Sequence, residues 1–158
     1  MTERFAIYFA PQRGSALSAR AEAWLAQPHL QALTVSARKY GFHATLKAPM
    51  ALKASTNAHQ LAAALAAFAR GHAPVGMGRL EAGLIDGFLA LTPVVRSQEL
   101  TDFAAEVTTV FDGFRSPLSA AERARRLQAP LTDRQIELLD RYGYPYVLEQ
   151  FQLHMTLT

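Results

Sequence analysis

Cysteine is absent from this chain of 158 residues. Its absence removes disulfides, thiolate nucleophiles and cysteine-based zinc or iron–sulfur sites, and it accords with a reducing cytoplasm. Nothing approaches an apolar membrane span, and the opening MTERFAIYFAP is too polar, and too short in its apolar part, for a secretory leader. The expectation is therefore a soluble, cytoplasmic protein with no membrane partner. A strong charge excess is missing too: 16 Lys and Arg against 13 Asp and Glu leave +3. That balance suits a phosphate-bearing ligand without requiring one. The basic run from Arg123 to Arg126 falls in a stretch of helical character and reads as a solvated face, and no basic stripe interleaved with aromatics marks an RNA surface.

What is present is enough for one domain. Half of the residues are apolar, and a chain of this length buries roughly 70% of the surface its unfolded form exposes. Arg4 to Ala10 alternates as a strand, and Pro11 stops it. Ser18 is placed to cap a helix through Leu25, whereas Gln31 to Arg38 has no clear period and reads as loop. Ser55-Thr56-Asn57 precedes an Ala-rich helix to Arg70, stopped by Gly71. Arg79 to Ile85 and Phe88 to Val94 form a hairpin around Asp86-Gly87, a dipeptide suited to positive φ. Ser97 opens a further helix that ends near Gly113, and Leu118 to Leu127 and Thr132 to Tyr142 are two more helical pieces. After Gly143-Tyr144-Pro145 the chain runs from Val147 to Thr158 as a last strand. This order gives an α+β architecture rather than a Rossmann alternation.

Two stretches share one pattern. Tyr40-Gly41-Phe42-His43-Ala44-Thr45-Leu46-Lys47-Ala48-Pro49 and the closing His154-Met155-Thr156-Leu157-Thr158 each carry His-x-Thr in a run that alternates polar with apolar. Residues two apart on a strand share a face. His43, Thr45 and Lys47 therefore point one way, with Phe42, Ala44 and Leu46 behind; Gln152, His154, Thr156 and Thr158 likewise oppose Phe151, Leu153, Met155 and Leu157. If the two strands are neighbours, two imidazoles and two hydroxyls converge.

Such a set fits phosphodiester chemistry. Cleavage beside a neighbouring hydroxyl requires a proton removed at one oxygen and delivered at another, on opposite sides of phosphorus. An unperturbed imidazole titrates near pH ~6.5, so one His can be base while the other is acid. Threonine hydroxyls can donate to the non-bridging oxygens as charge builds, and Lys47 adds a cation. No Ser sits in a nucleophile-elbow context and no carboxylate cluster accompanies the histidines, so water is the expected nucleophile, with no metal and no cofactor required.

The pair HATLK and HMTLT, about a hundred residues apart, resembles the motifs of the two-histidine phosphoesterase superfamily. The runs RFAIYFAP, YGFHATLKAP and RYGYPYVLEQFQLHMTLT look more narrowly like its branch associated with phosphonate metabolism. The resemblance implies a single bilobal domain over 1–158, a first lobe of about residues 1–75 and a second of about 76–158, with two antiparallel sheets flanking a central cleft and helices outside. It implies a metal-independent phosphoesterase acting on a cyclic phosphodiester, a 2′,3′-cyclic nucleotide or a cyclic sugar phosphate. His43 and His154 would be the catalytic acid and base, and Thr45 and Thr156 would hold phosphate; strand parity adds Lys47 and Thr158. Since the chain stops within the second motif's strand, the second lobe is expected to be incomplete, and that strand prone to fraying.

Plainer readings stand beside this one. His29, His59 and His72 lack such context and are expected to be exposed. Lys47 could cover a sheet edge; Tyr8 could pack rather than line a cleft; Arg13 and Arg38 could contact phosphate, with solvated loop residues the better default; Tyr144 and Tyr146 could stack a base or sugar, with a packed turn around Pro145 the commoner role. The competing function is a non-catalytic module that binds RNA ends or a phosphorylated ligand through the same donors.

Overall fold

The computed structural model describes residues 3–158. Among them are five strands, β1 (Phe5–Phe9), β2 (Ala44–Met50), β3 (Leu80–Ile85), β4 (Phe88–Pro93) and β5 (Met155–Thr156), and six α-helices, α1 (Ala16–Leu25), α2 (Val35–Tyr40), α3 (Ala58–Arg70), α4 (Gln98–Val110), α5 (Ala120–Arg126) and α6 (Asp133–Tyr142). The α+β expectation holds. The strands form one sheet in the order β1-β2-β5-β4-β3, so the expected pair of sheets is corrected to a single one among the described residues. The physical reason is that β2 and β5, the two motif strands, bond directly to each other, antiparallel, with Ala44 opposite Met155.

The chain divides into two compact units, each drawing on both halves of the sequence rather than on residues 1–75 and 76–158 in turn. One contains residues 3–7, Lys47–Gly76 and Gln98–Gln152; the other contains Tyr8–Leu46, Met77–Ser97 and Leu153–Thr158.

In the first unit the helices are set by their caps. Asn57, Ser119 and Thr132 each close a capping box, with Gln60, Glu122 and Gln135 respectively, so the third-residue amide and the cap's own amide at the starts of α3, α5 and α6 are satisfied by local side chains. Gly143, left-handed at φ 75°, ends α6. Leu61 of α3, Leu100, Ala104 and Val107 of α4, Phe111, and Leu138 and Leu139 of α6 are buried. Phe68 meets Phe103 and Phe111 at ring separations of 5.9 and 5.4 Å.

The second unit holds the paired part of the sheet. Asp86 and Gly87, at φ 44° and 91°, turn the β3–β4 hairpin as expected. β4 pairs with β5, Ala90 opposite Thr156 and Leu91 opposite Met155. The end of β5 is held by the Trp24 indole, which donates to the Leu157 carbonyl at 3.0 Å, and by the Leu157 amide, which donates to Leu89 at 2.8 Å. These bonds oppose the expected fraying.

Three local expectations are corrected. α1 is capped by Ser15 rather than Ser18, because Ser15 accepts the Ser18 amide while the Ser18 hydroxyl turns to Glu22. The expected loop from Gln31 to Arg38 contains the start of α2, whose Ala37 is buried while Val35 is exposed. From Val147 to Thr158 only Met155–Thr156 joins the ladder, and Leu148–Gln150 makes a 3-10 turn instead.

Candidate active site

His43 stands one residue before β2 and His154 one residue before β5. Antiparallel strands with Ala44 opposite Met155, continued by one residue each way, set His43 opposite Thr156 and Thr45 opposite His154. Directly opposed side chains lie on the same face with Cβ atoms about 5 Å apart, and diagonal partners such as the two histidines are roughly 7–8 Å apart. The two His-x-Thr motifs are thus related by a local twofold centred between Ala44 and Met155. Those two residues are fully buried on the opposite face, whereas His43, Thr45, His154 and Thr156 are all half-buried. The parity reading of the sequence holds for all four.

Each imidazole has an aromatic neighbour from an adjacent strand. Tyr8 of β1 lies against His43, ring centroids 3.9 Å apart and planes 31° apart, and Phe88 of β4 lies 5.8 Å from His154. Burial pushes the Tyr8 phenol above its usual value, and the neighbouring Tyr40 phenol adds to the effect. His43 Nδ1 is 2.8 Å from the Gly41 carbonyl. A carbonyl can only accept, so Nδ1 carries the proton and Nε2 is the nitrogen left to exchange one.

Residues 45–158 match the family described as "Protein of unknown function (DUF1045)". The chain belongs to that family. Its matched segment contains Thr45, His154 and Thr156 and begins two residues after His43. Over 98% of its length the chain is 36% identical to a protein of Janthinobacterium sp. (strain Marseille) named "Ribose 1,5-bisphosphate phosphokinase PhnN", covering 38% of that protein. A protein of the same name from Laribacter hongkongensis (strain HLHK9) is 33% identical over 98% of the chain, which covers 40% of it. The chain therefore spans about two fifths of the length of the curated relatives it matches. No solved structure matches it.

For this member of the DUF1045 family the two residues added by parity, Lys47 and Thr158, both make bonds within the fold. Lys47 is 3% exposed, and its ammonium donates to the Thr108 carbonyl at 3.0 Å and to Asp112 at 3.3 Å, all within the first unit. Burial pulls the Lys47 ammonium below its usual value while Asp112 pulls the other way. The Thr158 hydroxyl accepts the Leu89 amide at 2.9 Å and so extends the β4–β5 pairing. His29 and His59 are exposed as expected, but His72 is half-buried, stacked on Phe68 at 3.9 Å and bonded to the Phe68 carbonyl and to Glu106. Sequence reasoning underrated Tyr8 and passed over Phe88 and Gly41. The sequence signal for Tyr8 was its place on β1 with Ala6 and Ala10, the parity opposite to the buried Ile7. Among the described residues no three His, Asp or Glu side chains gather as a metal ion would require, and no helix is long and apolar enough to cross a membrane.

Proposed function

We propose that the chain is a metal-independent phosphoesterase that hydrolyses a cyclic phosphodiester, in keeping with its resemblance to two-histidine phosphoesterases. The observation that carries this reading is the antiparallel register of Ala44 with Met155, which sets two His/Thr cross-strand pairs on one face. With phosphorus between the imidazoles, one His takes a proton from water as the water oxygen bonds to phosphorus. The other gives its proton to the ring oxygen whose bond to phosphorus breaks. The product is a phosphomonoester beside a free hydroxyl, and the two histidines have exchanged protonation states. Thr45 and Thr156 donate to the non-bridging oxygens, where negative charge grows in the transition state.

The relatives' printed name concerns a ribose bisphosphate. That supports a cyclic sugar phosphate ahead of a 2′,3′-cyclic nucleotide, and a link to phosphonate metabolism, as the motifs' resemblance implies. The kinase in that name finds no counterpart in these residues. Gly71 and Gly76, and Gly78 and Gly83, have the spacing of the glycines in a Gly-x4-Gly-Lys-Ser/Thr phosphate loop, but Met77 and Leu84 follow where the lysine would stand. The second reading, a module that binds RNA ends or a phosphorylated ligand without turnover, uses the same four side chains.

The test is incubation with cyclic ribose phosphates and 2′,3′-cyclic nucleotides in the presence of a chelator. Ring opening that persists with chelator is the expected result. Tight binding without product supports the module instead, and turnover lost on chelation rejects the metal-independent mechanism.

A further inference from the structure

Gly41 closes α2 at φ 74° and ψ 169°, a region of backbone space that is essentially reserved for glycine. A Cβ at Gly41 would meet nothing within 4 Å, so the position requires glycine for its conformation and not for space. The consequence of that conformation is visible two residues later, where the Gly41 carbonyl accepts the His43 Nδ1 proton at 2.8 Å. The other side of the ring is covered by Tyr8, at 3.9 Å. One contact fixes which nitrogen is protonated and the other limits the tilt of the ring.

We propose that Gly41 and Tyr8 are positioning residues that hold His43 as the Nδ1–H tautomer, with Nε2 turned out as its only working nitrogen. The inference rests on the reading of His43 as an acid/base group, but its first test does not need activity. An imidazole free in water prefers the Nε2–H tautomer, so the arrangement at Gly41 reverses the default. A residue with a Cβ at position 41 relaxes toward negative φ, swings the peptide plane and withdraws the carbonyl from Nδ1. Nε2 then carries the proton in the neutral ring and cannot act as base.

The experiment is ring-nitrogen NMR on the whole chain labelled with 15N-histidine, His43 being assigned by its loss in His43→Gln. In the wild type above the imidazole pKa, His43 is expected to show a protonated Nδ1 and an unprotonated Nε2; the reverse pattern overturns the proposal without any variant. Gly41→Ala is expected to move the tautomer toward Nε2–H and to lower kcat on a cyclic phosphodiester about tenfold, with KM little changed. An unchanged tautomer in Gly41→Ala overturns the role of Gly41. Tyr8→Leu is expected to lower kcat similarly and Tyr8→Phe to restore most of it; a wild-type kcat in Tyr8→Leu removes Tyr8 from the assignment. Full activity in His43→Gln would instead sink the catalytic reading of His43, while the tautomer result stands on its own.

Discussion

At the scale of residues, two imidazoles of this chain differ in their hydrogen-bond partners. His43 has Nδ1 on a backbone carbonyl, and the proposed acid/base role falls to Nε2. His72 spends both: the Phe68 carbonyl and, less strongly, Glu106 hold its pKa above the ordinary value. A raised folded-state pKa favours the native state fully below the unfolded value of about 6.5, and that contribution is lost as pH rises through the folded value. Glu106→Gln is therefore expected to lower the urea midpoint more at pH 5.5 than at pH 8.5; an equal loss at both would contradict the ion pair. Period-two parity made the shared face of His43, Thr45, His154 and Thr156 legible in the sequence, and the register of Ala44 with Met155 agrees with it. It could not reveal that Lys47 is spoken for, because parity gives the face of a side chain and not its partner.

Elements were legible where their signals are local. The helix start after Ser55-Thr56-Asn57 and the Asp86-Gly87 turn need only a few neighbouring residues, and the structure has both; the Ser119 cap of α5 was not read. Sheet membership and α2 are decided by remote partners, so one sheet was read as two and α2 as loop. The junction after α4 shows how such partners act. Burial pushes the Asp112 carboxyl up, but Arg115 and Lys47 outweigh it and hold it below the usual carboxylate range. Arg115 bonds both Asp112 oxygens, at 2.7 and 3.2 Å, and reaches the Arg141 carbonyl at the end of α6 at 2.7 Å. Asp112→Ala leaves a buried ammonium and a half-buried guanidinium without their anion, and is expected to destabilise by about 3 kcal/mol. Lys47→Met, which keeps the Asp112–Arg115 pair, should cost about 1 kcal/mol. Chemical denaturation orders the two, and a greater loss in Lys47→Met would show that the pair is not what holds this junction.

For the whole molecule, the sheet order is what gives the candidate site its composition. β2 and β5 are far apart in sequence, yet they are neighbours in the middle of the sheet, which is how two short motifs become one array. Under the proposed mechanism that array works as a unit, one imidazole neutral and one charged. The rate should then follow a bell-shaped pH profile, and a single limb would argue for one working histidine.

The most direct measurement is kcat/KM on a cyclic phosphodiester, with chelator, for His43→Ala, His154→Ala and the double variant. Because one transition state needs both rings, each single change is expected to cost about 10²–10⁴-fold and the double to fall little further. Wild-type activity in either single variant, or losses that simply multiply in the double, would contradict a shared site.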